Sequence, residues 1–227
     1  MPNKYYGQWN PRADEVLHEN YFKAIRNGFF VDCGAGDGVI DSNTKFFEDS
    51  LDWTGVCIEP SPVSFNQLTN RRPNTKNLML GLSDHDGTIT FTEAVNSSNF
   101  SGGAVKYHPR LKAFVSACGY NFKDITIETM RYDTLLVRLS IIKVNLLSID
   151  VEGYEASVIA GMSGATILPD VICIEYTCVG IQRAKRLLAE LGYRFDFVSF
   201  NNAYFSRGLP IKEWFGTTDI MGCFEDE

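Results

Sequence analysis

Residues 29–38 read Phe-Phe-Val-Asp-Cys-Gly-Ala-Gly-Asp-Gly, an apolar run that ends in an acid and passes into glycines at alternate positions. Ser42-Asn43-Thr44 follows and opens a helix over about 42–51. A β-type run, a turn that tolerates positive φ and a helix start, in that order, make a strand–turn–helix unit. Such a unit commits the chain to a sheet that buries this strand and leaves the turn bare at its carboxyl end. Without side chains the glycines let a ligand lie against backbone, and the first N–H groups of the helix offer donors to an anionic group.

The remaining sequence repeats the alternation. Ahead of the unit, Asp14 starts an expected helix that reaches about Asn27, with Val16, Leu17, Tyr21, Phe22 and Ile25 on one stripe. Residues 4–12 are turn-like and aromatic. Behind it come strands at 55–58 and 77–82, separated by a helix over 62–72 that Ser61-Pro62 starts and Pro73 closes. Thr88 to Thr92 alternates as an exposed or edge strand, and Ala94 to Ala104 is a low-complexity loop. A short helix over 109–118, a strand over 124–130 and a helix over 133–137 lead to the apolar strand 144–149. Then follow a helix at 154–160, a strand at 170–174, a helix at 181–191 and a hairpin over 193–206. Alternating strands and helices imply an α/β fold, with a mostly parallel sheet covered on both faces and closed by an antiparallel hairpin.

At 227 residues and 44% hydrophobic, the chain is expected to form one domain over 1–227, with 1–28 an N-terminal helical segment and 94–123 an acceptor-side insertion or lid. The net charge of -7 argues against a nucleic-acid partner, which needs a basic face, and Arg71-Arg72 reads as a solvated helix end. None of the six cysteines forms a Cys-x-x-Cys pair, so they are read as reduced and the protein as cytoplasmic. No secretory signal and no 18-residue apolar run is found, so no membrane span is expected. The three histidines, His18, His85 and His108, are expected at the surface.

The acids fall in a pattern. Asp32, Glu59, Asp84, Asp150 and Glu175 each stand at or just past the end of an apolar strand, so all five are expected on one rim of the sheet. Gathering carboxylates costs free energy through repulsion and desolvation, so the rim calls for a cation or many hydrogen-bond donors. Glu59 lies 27 residues after Asp32, the spacing at which a second strand brings an acid to ribose hydroxyls. The glycines Gly34, Gly36 and Gly38 depart from the Gly-x-Gly-x-x-Gly fingerprint of nicotinamide enzymes, since Val39 stands where its third glycine would be. An acid two residues before the first glycine matches methyl-donor sites instead. S-adenosylmethionine has no pyrophosphate; its ammonium and sulfonium suit acids, and its carboxylate suits backbone N–H groups.

The chain resembles the FkbM-type class I S-adenosylmethionine-dependent methyltransferases. The resemblance is carried by residues 28–38, by Ser42-Asn43-Thr44, by Trp53-Thr54-Gly55-Val56-Cys57-Ile58-Glu59-Pro60 and by Ile149-Asp150-Val151-Glu152-Gly153-Tyr154-Glu155. It covers most of residues 14–195, with Ser148 where many members carry a lysine. It implies a Rossmann-like, seven-stranded class I fold and O-methylation of a hydroxyl on a sugar, polyketide or similar metabolite. It further implies donor contacts from Asp32, Gly34, Ala35, Gly36 and Asp37, from Ser42, Asn43 and Thr44, from Glu59 and Pro60, from Leu82, Ser83 and Asp84 near the adenine, and from Asp150.

A hydroxyl acceptor must lose its proton. Asp150 is the leading candidate base, with Glu152 and Glu175 as alternatives or acceptor contacts. The same three carboxylates could instead hold Mg²⁺, which prefers oxygen ligands, although they match no known metal spacing. Two other readings stay open: a protein that binds S-adenosylmethionine without turnover, and a nicotinamide oxidoreductase on a similar sheet.

Overall fold

The computed structural model describes residues 4–95, 101–104, 116, 119 and 121–209. The expected helix over 109–118 lies almost wholly outside the described residues, as do His108 and the tail beyond 209.

The strands of the described residues form two sheets. The larger is built from β1 (Phe29–Cys33), β2 (Thr54–Ile58), β3 (Lys76–Leu78), β8 (Leu146–Ile149), β9 (Val171–Glu175), β10 (Arg194–Ser199) and β11 (Asn202–Ser206). Its order is β10-β11-β9-β8-β1-β2-β3, with the five strands from β9 to β3 parallel and β11 and β10 added antiparallel. The helices are α1 (Ala13–Leu17), α2 (Lys45–Leu51), α3 (Pro62–Arg71), α4 (Tyr132–Arg138), α5 (Glu155–Ala160) and α6 (Ile181–Glu190). The strand order reverses between β1 and β8, the place where open parallel sheets bind ligands.

Both faces of this sheet are buried, which explains why its strands are apolar runs rather than alternating ones. Phe30, Leu146 and Val171 pack into one core with Phe22, Phe46, Phe47 and Trp53. Their neighbours Val31, Leu147 and Ile172 pack into the other with Leu135, Val158 and Leu188.

The second sheet has four strands in the order β4-β7-β5-β6, from β4 (Gly81–Leu82), β5 (Gly87–Val95), β6 (Ser101–Ala104) and β7 (Asn121–Met130). Two expectations change here. The strand expected over 77–82 is divided: Lys76–Leu78 stays in the large sheet while Gly81–Leu82 pairs with β7. The loop expected over 94–104 is partly strand, since β5 runs on to Val95 and pairs there with β6, whereas Thr88 to Phe91 pair among the described residues on one side only, with β7, as expected of an edge. Cross-strand partners so far apart in sequence leave no local signal.

The first helix is also shorter than its apolar stripe suggests. It ends at Leu17 and passes into one π-helical turn, His18–Phe22. Asp14 does not cap it; its buried carboxylate accepts the N–H groups of Tyr6 and Gly7 at 2.6 and 3.0 Å. That contact pulls residues 4–9 back over the domain. His18 is buried and bonded to the Tyr5 hydroxyl at 2.9 Å, not exposed at the surface.

Candidate active site

The carboxyl ends of β1, β2, β8 and β9 open into a cavity of about 510 Å³. Its floor is the glycine turn. Gly34 takes φ +87°, and a Cβ there would lie 1.7 Å from the Asp150 carbonyl oxygen, so only glycine lets β1 and β8 close at this level. At Gly36 the reverse holds: no protein atom comes within 4 Å of a would-be Cβ, so the backbone is bare toward the cavity.

Glu59 holds that turn in place. Its Oε2 accepts the Gly36 N–H at 2.9 Å and its Oε1 accepts the Ser61 N–H at 2.8 Å, joining the turn to the start of α3. Each oxygen keeps further lone-pair capacity for a ligand hydroxyl. Burial pushes the Glu59 carboxyl up to about 7, against the pull of those two N–H donors.

Asp32 is held from behind. Its Oδ2 accepts the Thr44 hydroxyl at 2.6 Å, and the Arg72 guanidinium lies 3.6 Å away. Arg72 also donates to Thr44 Oγ1 at 2.8 Å and to Glu48 at 2.6 Å. It is fully buried, so Arg72 is not part of a solvated helix end. Only Arg71 is partly exposed, paired with Asp37. Burial raises the Asp32 carboxyl, and Arg72 pulls it back down. Asn43 joins this layer to β8 through a 3.2 Å bond to the Ser148 hydroxyl.

Beyond β8 and β9 stand three carboxylates. Asp150, Glu152 and Glu175 offer oxygens that all lie within 4.8 Å of one another, a donor set that could take a hard cation such as Mg²⁺. Solvent reaches Asp150 through the cleft, yet protein surrounds its carboxyl. Burial and the neighbouring Glu175 and Glu152 push it well above the usual carboxylate range. Burial likewise lifts Glu152 to about 8. Glu152 has φ +52°, uncommon for a residue with a Cβ, at a cost of about 1 kcal/mol or more. Glu155, buried at the start of α5, accepts the Gly153 N–H at 2.9 Å and steadies the turn.

Seven acids line the cavity: Asp32, Asp37, Asp41, Glu59, Asp150, Glu152 and Glu175. Among the described residues no Lys, Arg or His lines it.

The chain matches the methyltransferase FkbM domain over residues 32–195. It belongs to the FkbM methyltransferase family. It is 30% identical over 150 residues to hexuronic acid methyltransferase AglP of Haloferax volcanii, covering 64% of this chain and 56% of that one. Two solved structures overlap it with TM-scores of 0.49 and 0.43: methyltransferase FkbM from Methylobacillus flagellatus, at 15% identity, and ribosomal protein L11 methylase from Lactobacillus delbrueckii, at 10%. They cover 86% of this chain in each case, and 50% and 76% of their own. The chain thus spans about half the length of AglP and of the FkbM structure.

In this FkbM-family fold, Asp32, Gly34, Ala35, Gly36, Asp37, Ser42, Asn43, Glu59, Pro60, Leu82, Asp150, Glu152 and Glu175 line one cavity. Three expected donor contacts do not. Thr44 stands behind Asp32. Ser83 is buried and meets the cavity only through its 2.9 Å bond to the Tyr154 hydroxyl. Asp84 is half-exposed and pairs with His85 at 2.7 Å, away from the rim that the other four strand-end acids share. The cause is the divided strand: Gly81–Leu82 leaves the large sheet and carries Asp84 with it.

Several lining residues carried no sequence signal of their own. Ile89, Phe91 and Ile127 come from the four-stranded sheet, which is tied to the α3 start by a short Ser61–Glu93 hydrogen bond. Gln8, Trp9 and Asn201 come from segments about 190 residues apart, joined by a 3.0 Å bond from Trp9 Nε1 to Asn201 Oδ1. The aromatic richness of residues 4–12 was the visible hint, though not of a cavity wall.

Proposed function

We propose that this FkbM-family protein binds S-adenosylmethionine in the cavity and methylates a hydroxyl of a sugar or similar small metabolite. The observation that carries the reading is the acidity of the wall: seven Asp and Glu side chains, and no cation among the described lining residues. A pyrophosphate would meet repulsion there, whereas a ligand bearing an ammonium and a sulfonium is attracted. The fit extends to the bare Gly36 backbone and to the spare acceptor capacity of Glu59.

Glu59 would accept the ribose hydroxyls, and Asp32, backed by Thr44 and Arg72, would keep a carboxylate toward the donor's amino group. Leu82, Ile89 and Phe91 supply apolar surface for the adenine. When bound, S-adenosylmethionine supplies an electrophilic methyl group. Asp150 receives the acceptor's hydroxyl proton, since it follows β8 beside β1 and faces the same cavity. Its raised proton affinity makes the ionised form a stronger base, and a cation in the cavity favours that form. Glu152 and Glu175 share the charge and orient the acceptor. Much of the remaining acceleration comes from holding donor and acceptor in line.

Calorimetry with S-adenosylhomocysteine and with NADH tests the reading. Binding of the first and not the second is expected. Tight NADH binding with no affinity for S-adenosylhomocysteine would replace it with an oxidoreductase. Donor binding without product on a broad hydroxyl panel would leave a binding protein.

A further inference from the structure

One wall of the cavity is not accounted for by donor binding. Gln8 and Trp9 reach it from the N-terminal segment, on the same side as Asn201 and Glu175. Trp9 is fixed from two directions. One ring face stacks on Phe200, centroids 5.3 Å apart and planes within 10°. Its indole Nε1–H donates to Asn201 Oδ1 at 3.0 Å, and Asn201 Nδ2 donates in turn to Glu175 Oε1 at 2.8 Å. The segment that carries it is itself anchored, through the Asp14 contacts to Tyr6 and Gly7 and a β-bridge from Gly7 to Asp41. Even so, 42% of the Trp9 surface stays accessible.

We propose that Trp9 is the platform on which the acceptor docks, and that the acceptor is a neutral pyranose. The inference rests on the methyl-transfer reading above. A pyranose ring presents a patch of C–H groups edged by hydroxyls. The C–H hydrogens carry slight positive charge and suit the negative face of an aromatic ring. The hydroxyl edge needs an acceptor beside that ring, and the Glu175 carboxylate stands there, linked to the indole through the Asn201 amide. A platform locked before binding adds little ordering cost when the sugar arrives. Neutrality follows from the same wall: a carboxylate on the sugar would be brought against Asp150, Glu152 and Glu175 with no lining cation among the described residues to offset it. A hexuronic acid is therefore disfavoured as acceptor here.

The test uses the full chain and labelled S-adenosylmethionine, with a panel of neutral methyl pyranosides, the matching uronic acids and non-sugar alcohols. Transfer to at least one neutral pyranoside is expected, with its kcat/KM exceeding that of the matching uronic acid by about tenfold or more. Trp9→Ala should lower that kcat/KM by about tenfold or more, mainly through KM, with S-adenosylhomocysteine affinity within about twofold of wild type. Trp9→Phe, which keeps a smaller aromatic face and loses the pyrrole ring with its N–H, should retain more of the activity than Trp9→Ala and guards against a folding artefact. Transfer confined to uronic acids or non-sugar alcohols, no transfer to any pyranoside, or wild-type kinetics in Trp9→Ala would overturn the proposal. Failure to bind S-adenosylhomocysteine at all would count instead against the methyl-transfer reading beneath it.

Discussion

Glu59 Oε2 accepts the Gly36 backbone N–H at 2.9 Å, so the acid that ends β2 is bonded to the turn that ends β1. One carboxylate thereby shapes the floor of the cavity and still lines it. Glu59→Ala removes two backbone bonds and, in the proposed reading, the acceptor for ribose hydroxyls. S-adenosylhomocysteine affinity should fall by at least about tenfold, from losing one or two charge-assisted bonds. Calorimetry on a mutant whose circular dichroism matches wild type measures this, and unchanged affinity would remove Glu59 from the donor site.

Asp150→Asn keeps the shape of the group and removes its basicity. The expected outcome is S-adenosylhomocysteine affinity within about threefold of wild type and a kcat lowered by about 100-fold or more. Single-turnover measurement separates the chemical step from product release. A mutant with the wild-type rate would pass the role of base to Glu152 or Glu175.

The buried carboxylates make the empty protein sensitive to pH. Glu59, Glu152 and Glu155 are lifted by burial from an ordinary 4.5 to about 7, 8 and 7. The folded state therefore holds more protons than the unfolded chain between those values, and ∂ΔG/∂pH of unfolding is negative there. Their contribution is fully present below about pH 4.5 and is lost as pH rises toward 8. The acids whose proton affinity is lowered, such as Asp84 and Asp86, act only below that window. Thermal midpoints in the absence of ligand should fall from pH 5 to pH 8, and S-adenosylmethionine, a cation, should reduce the fall. A flat profile would mean the carboxylates are already compensated in the empty cavity.

Arg72 is fully buried, between Asp32, Thr44 and Glu48, with its guanidinium 5.0 Å from the Phe30 ring centroid. Arg72→Leu leaves Asp32 without its cation and leaves Glu48 only Lys45, 3.7 Å away. Removing one partner of a buried ion pair costs about 3–5 kcal/mol. In a chain of this size that lowers Tm by roughly 10 °C. Arg72→Lys should recover part of the loss, because it restores the charge without the fork of donors. Calorimetric unfolding of both variants checks the order wild type, Lys, Leu.

What local sequence determined here is the strand–turn–helix unit and most of the rim. The apolar runs at 29–33, 54–58, 146–149 and 171–175 announce strands buried on both faces, and the acid at or just past the end of each is carried with its strand. Because parallel strands end on one edge, Asp32, Glu59, Asp150 and Glu175 group on one rim from the sequence alone. Tertiary structure alone decided three things. Pairing with β7 takes Gly81–Leu82 out of the large sheet, so Asp84 leaves the rim; a pairing partner some 48 residues away has no local signature. Arg72 and His18 are buried where partners from other elements, Glu48 and Thr44 for one and Tyr5 for the other, bond to them. The wall of Trp9 and Asn201 depends on contacts that hold residues 6–9 against the β10–β11 turn, among them Asp14 with Tyr6 and Gly7, and Trp9 with Asn201. Periodicity reports which face of an element is buried; which elements then meet is set by the long-range pairing and packing of the whole chain.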